Sequence, residues 1–96
     1  MALVLGINID KDNRVFIGPH MLTVDMIKSA TAAQVTLHTA AMDYVYTLTT
    51  TEFTELTGMV GVSVGLGKDT NRGGLVRLLV DAPKNIAIER GSRQDG

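Results

Sequence analysis

The stretch that most constrains the fold is residues 75–90, Leu-Val-Arg-Leu-Leu-Val-Asp-Ala-Pro-Lys-Asn-Ile-Ala-Ile-Glu-Arg, two short runs of alternating polarity around an Ala-Pro-Lys-Asn hinge. In the first run Val76, Leu78 and Val80 fall on one face while Arg77 points to the other, the period of a half-buried strand. Pro83 donates no backbone hydrogen bond and fixes its own φ, so the first ladder should stop there. Ile86 and Ile88 then share a face of the second run, with Ala87, Glu89 and Arg90 covering its edge and end.

The rest of the chain reads in the same way. Residues 2–9 are apolar enough for a central strand, Asp10-Lys11-Asp12-Asn13 is a turn, and residues 14–17 resume a strand that Gly18-Pro19-His20 breaks. Further strands are expected at 21–28, 34–39 and 44–49, separated by loops at 29–32 and 40–43, because Thr and β-branched residues dominate them. Only residues 50–57, with Glu52 and Glu55 around Phe53 and Leu56, suit a short helical turn, capped by Thr and stopped at Gly58. Residues 59–66 alternate again, and 67–74, Gly-Lys-Asp-Thr-Asn-Arg-Gly-Gly, carry the strongest loop signal. Lys68 and Arg72 there lack the Gly, Lys, Ser/Thr order of a phosphate loop before a helix. The expectation is one all-β, mainly antiparallel domain over residues 1–96, a small barrel or sandwich with at most one short helix.

Sliding the sequence by about 41 positions, the period test for repeats, sets Val35 on Val76, Leu37 on Leu78, Ala41 on Ala82 and Val45 on Ile86. An internal duplication of this kind divides the chain into a complete unit, 1–54, and a partial one, 59–93.

Charge is nearly balanced overall, at −1, which argues against a strong nonspecific polyanion binder. It is divided along the chain: residues 68–93 hold six cations against three carboxylates, and residues 1–67 hold three against six. An anionic partner should therefore meet the C-terminal third. The absence of cysteine excludes disulfides and thiolate metal sites and fits a reducing cytoplasm. No apolar run reaches the length of a membrane helix, and the N-terminus lacks the basic-then-apolar pattern of a secretory signal. His20 and His38 have no neighbouring Cys or carboxylate at ligand spacing, so neither metal nor cofactor is expected. Without a thiol, a serine elbow or a matched acid pair, the chain is not expected to be an enzyme.

The hinge stretch resembles the end of the carbon storage regulator family of bacterial translational regulators, whose last strands read roughly Val-Arg-Ile-Gly-(Ile/Val)-(Asn/Asp/Glu)-Ala-Pro-Lys-x-(Val/Ile)-x-(Val/Ile)-His-Arg. Val76, Arg77, Ala82, Pro83, Lys84, Ile86, Ile88 and Arg90 match; Leu79 and Glu89 replace the family's Gly and His. The opening strand is similar too, with Leu3 and Leu5 at apolar positions, while Gly6, Ile7 and Asn8 stand where the family has small hydroxyl and basic residues. The match at the hinge covers about fifteen residues.

The resemblance implies a homodimer that exchanges strands, or a fused pseudo-dimer of the same design, in which residues 2–8 pair with residues 85–90. It also implies RNA as partner, read at a GGA-type single-stranded loop of an mRNA or small RNA, and translational repression as outcome. Arg90 is then the main contact, its planar fork suited to phosphate and base edges. Arg93, Arg77 and Lys84 are further candidate cations, and Ala82, Pro83 and Leu5 line the site. The alternative, favoured by Glu89 and the acidic first two-thirds, is a protein-interaction module that pairs with such a regulator, or antagonises it, without binding RNA strongly.

Overall fold

The computed structural model describes residues 2–56, 60–66 and 75–91, and over these the chain is all-β and antiparallel, with no helix. The described strands are β1 (Ala2–Asn8), β2 (Arg14–Ile17), β3 (His20–Ser29), β4 (Ala32–His38), β5 (Asp43–Thr49), β6 (Thr54–Glu55), β7 (Gly61–Gly65), β8 (Leu75–Asp81) and β9 (Ile88–Arg90). They form two sheets, one ordered β1-β8-β7-β6 and the other β5-β4-β3-β2-β9. The expected Gly-rich loop at 67–74 and the helix stop at Gly58 lie outside the described residues.

Both sheets turn their apolar faces onto one core. Val76, Leu78 and Val80 of β8 are buried, as the alternation of the first hinge run predicts, and Arg77 between them is exposed. Val15, Leu22, Val24, Val35 and Leu37 supply the opposite wall. Side chains of this size contribute about 1.5–3 kcal/mol each on full burial, so this double layer of Val and Leu is the main stabilising term. The first ladder ends at Asp81, two residues before Pro83, as its missing N–H requires.

The short helical turn expected at 50–57 is absent. Thr54 pairs with Val62, Glu55 with Gly61, and the Leu56 N–H donates to the Val60 carbonyl at 2.7 Å, which makes a hairpin that buries Leu56 in the core. A single helical turn fixes several dihedrals for one hydrogen bond, and here it loses to a ladder that also buries a leucine.

A second correction concerns the partners of the first and last strands. Residues 2–8 do not pair with 85–90: β1 lies antiparallel to β8 over its whole length, from Ala2 opposite Asp81 to Asn8 opposite Leu75. The last strand, β9, pairs instead with β2, setting Ile17 opposite Ile88 and Val15 opposite Arg90. The physical reason is length and pattern. The seven residues of β8 match the seven of β1 and place Leu3 by Val80, Leu5 by Leu78 and Ile7 by Val76 on the core face. Three-residue β9 offers less than half of that ladder. Beyond Pro83 the chain leaves the first sheet and joins the edge of the second.

The two sheets share an internal symmetry of connection. Moving each strand of the first sheet by four places, counted cyclically over β1 to β8, converts β1-β8-β7-β6 into β5-β4-β3-β2, which is the second sheet without β9. Each half thus lends its first strand to the other half: β1 pairs with β8, and β5 pairs with β4. This relation divides the chain between His38 and Asp43, whereas the sequence shift placed the division between residues 54 and 59.

Ser63 is the buried polar residue of the core among those described. Its hydroxyl donates to the Thr49 carbonyl at 2.7 Å and so ties β7 to the end of β5. Ser63→Ala leaves that carbonyl without its donor, and urea unfolding should show a loss of about 1 kcal/mol. Thr47→Ala, at an exposed site on β5, should change stability by less than about 0.5 kcal/mol.

Candidate nucleic-acid interface

The hinge between β8 and β9 builds a pocket of about 220 Å³. Val80, Ala82, Pro83 and Lys84 form one side, Ile86 and Ile88 a second, and Leu3 of β1 closes it. The first and last strands therefore meet through side chains across the gap between the sheets, although no ladder joins them. Local bonding fixes the hinge: the Ile86 N–H donates to the Pro83 carbonyl at 3.1 Å, and the Gly18 N–H donates to the Ala87 carbonyl at 2.8 Å. Gly18 has φ of 57°, a left-handed conformation that glycine takes without a Cβ clash, and this lets the β2–β3 turn reach the hinge. Neither Lys84, which lines the pocket, nor Asn85 next to it donates its backbone N–H to another described residue.

The candidate residues are distributed unevenly around this pocket. Ala82, Pro83 and Lys84 line it. Arg90 shares a strand face with Ile88, is exposed, and has no ion-pair partner among the described residues. Leu5 is packed into the core opposite Leu78, and Leu3, 42% exposed, takes the position at the pocket mouth. Arg77 lies on the opposite face of β8, exposed, with Gly6 and Gly65 directly across from it on either side, and so belongs to a different surface. Arg93 lies outside the described residues.

Gly91 fixes where Arg90 can sit. A Cβ at Gly91 would lie 2.8 Å from the Arg14 Cβ, 2.8 Å from Asp12 Oδ1 and 2.9 Å from Arg14 Nε, and Arg14 Nε itself donates to Asp12 Oδ1 at 3.3 Å. The end of β9 thus passes against this ion pair at a spacing only glycine allows. Nothing in the sequence marks the contact, because Asp12 and Arg14 lie around the start of β2, nearly 80 residues earlier.

A second arrangement was not legible in the sequence. On the outer face of the five-stranded sheet, Thr23 Oγ1 lies 3.1 Å from His38 Nε2, and His38 Nδ1 lies 3.0 Å from Asp43 Oδ1. This is the order of a hydroxyl–imidazole–carboxylate relay. The Thr23 hydroxyl also donates to Asp25 Oδ1 at 3.0 Å, and Thr36 donates to Asp25 Oδ2. A hydroxyl has one proton. It can be given to only one of these acceptors at a time, and the set acts as a tie across β3, β4 and β5.

Compared with known proteins, the chain matches no family model, no curated protein and no solved structure.

Proposed function

We propose that this chain is an RNA-binding post-transcriptional regulator that holds a short single-stranded, GGA-type loop of an mRNA or small RNA against the hinge pocket. The observation that carries the reading is the pocket itself. Residues of the family-like stretch, Ala82, Pro83, Lys84 and Ile88, come together with Leu3 of the opening strand, beside backbone donors and cations that no carboxylate of the described residues neutralises. Unstacked loop bases are the part of an RNA that such a rim can read, since their edges are exposed and their faces pack on apolar side chains. Lys84 and Arg90 then hold phosphate, Arg90 with a bidentate fork. The chain works as its own pseudo-dimer, each half lending the other its first strand, and a cytoplasmic location goes with an mRNA target.

A gel shift with a GGA-loop hairpin tests the proposal. Binding at micromolar protein or tighter is expected, with loss on changing the loop to CCU. Arg90→Ala should weaken it by about 1–3 kcal/mol, roughly 10- to 100-fold, because a bidentate contact disappears. With few cations engaged, the salt dependence should be shallow, log K falling by about 0.7 per phosphate contact. No shift at micromolar wild-type protein rejects the RNA reading.

The second reading is a protein-interaction module that pairs with a regulator of this kind. It is favoured by the outer edges of β1 and β5, each seven residues long with no neighbour on one side among the described residues, and by the exposure of Val4 and Val45 within them. Such edges accept a further strand.

A further inference from the structure

The connection symmetry places a second pocket where the hinge pocket has its counterpart. In β1, Leu3 stands opposite Val80; in β5, Tyr44 stands opposite Leu37. Exposure follows the same correspondence, Leu3 and Tyr44 both at 42%, Ile7 and Leu48 both buried. As Leu3 and Val80 line the hinge pocket, Tyr44 and Leu37 line a cavity of about 510 Å³, together with Tyr46, His20 and Leu56. Its Thr39-Ala40-Ala41 wall follows β4 as Ala82-Pro83-Lys84 follows β8. It is larger: the chain runs from Ala41 through Met42 into β5, and no strand among the described residues corresponds to β9 there.

The chemistry of the two pockets has diverged. Lys84 at the hinge is replaced by alanine, and among the described residues no Lys, Arg, Asp or Glu lines the larger cavity. Leu3 and Leu5 are replaced by the rings of Tyr44 and Tyr46. The His20 ring forms part of the wall, and its Nδ1 is shut off from solvent without a hydrogen-bond partner. A buried ring nitrogen in that condition calls for a partner, and a molecule held in the cavity that His20 lines can supply one. Two aromatic faces, an apolar floor and one unsatisfied ring nitrogen, without charge, make a site for a flat, uncharged heteroaromatic molecule with a hydrogen-bonding edge.

We propose that this cavity binds an uncharged purine nucleoside, its base packed on Tyr44 and Tyr46 and its edge hydrogen-bonded to His20. The site is separate from the hinge pocket and does not depend on the RNA reading. Among the described residues that line it there is no cation to hold a phosphate.

Tyr44 and Tyr46 are the only tyrosines and the chain has no tryptophan, so intrinsic fluorescence reports on this cavity alone. Titration of the full chain with adenosine should quench tyrosine emission saturably in the micromolar-to-millimolar range and shift the His20 ring signals in NMR. AMP should bind at least about tenfold more weakly, His20→Ala should weaken adenosine about tenfold, and Arg90→Ala should leave adenosine binding unchanged. Should His20→Ala fail to fold, the His20 shifts of the wild type and the loss of binding in Tyr46→Leu serve instead. Unchanged emission and ring signals up to about 10 mM adenosine, or equal binding of AMP, overturn the proposal.

Discussion

Leu78→Ala should lower the stability of this protein by about 3 kcal/mol, within the ~2–5 kcal/mol range of leucine truncations in closed cores. Leu78 is fully buried at the centre of β8, opposite Leu5 of β1 on one side and Val64 of β7 on the other. The removed methyl groups leave a hole bounded by β-ladders on both flanks, and paired strands collapse into such a hole poorly. Against a total of about 5–15 kcal/mol for a domain of this size, the loss is a large share. It should appear as a fall in melting temperature of about 12–24 °C, at ~4–8 °C per kcal/mol. Leu79→Ala, one residue on and facing the opposite side, is the control and should change stability by under about 1 kcal/mol. Equal effects at the two positions would overturn the assignment of faces on β8.

Gly91→Ala should loosen the last strand and the candidate site together. The added Cβ overlaps the Arg14 Cβ, which is fixed to the backbone of β2, and the Asp12 carboxylate that receives the Arg14 guanidinium. The carboxylate and guanidinium ends can swing aside, but the Arg14 Cβ cannot yield without moving β9 away from β2. Overpacking of this kind costs about 1–3 kcal/mol. Because β9 holds only three paired residues, the strain should be released locally, by lost amide protection at Ile88 to Arg90, before the whole domain unfolds. If RNA is held as proposed, binding should weaken about as much as in Arg90→Ala, although no contact residue has been altered. Hydrogen exchange of the β9 amides, followed beside the gel shift, separates the two effects: full protection with lost binding would place Gly91 in contact with RNA. Unchanged protection and binding would show that the spacing at Asp12 and Arg14 has slack.

Much of the candidate site could be read from the chain because it is contiguous. Ala82, Pro83, Lys84, Ile86 and Ile88 occupy a single turn and its exit strand, and all five line the pocket. What the sequence could not place relative to this pocket came from other strands or another face. Leu3 closes the pocket, where Leu5 was expected; both are on the core-facing side of β1, and only their position along the ladder with β8 separates a mouth residue from a core residue. Arg77 lies on the reverse face of the strand that carries Val80, so the period that marks it as exposed also removes it from the pocket.

The sequence by itself determined the strands other than β6, the stop before Pro83 and the burial of Val76, Leu78 and Val80, since period and proline chemistry act over a few neighbouring residues. Tertiary structure decided the partners: β1 with β8, β9 with β2, and β5 with β4. Backbone donors and acceptors are the same in every strand, so they do not choose. The choice falls to ladder length, to which side chains then share the core face, and to where the connecting turns can deliver the chain, and none of these is a property of one segment alone.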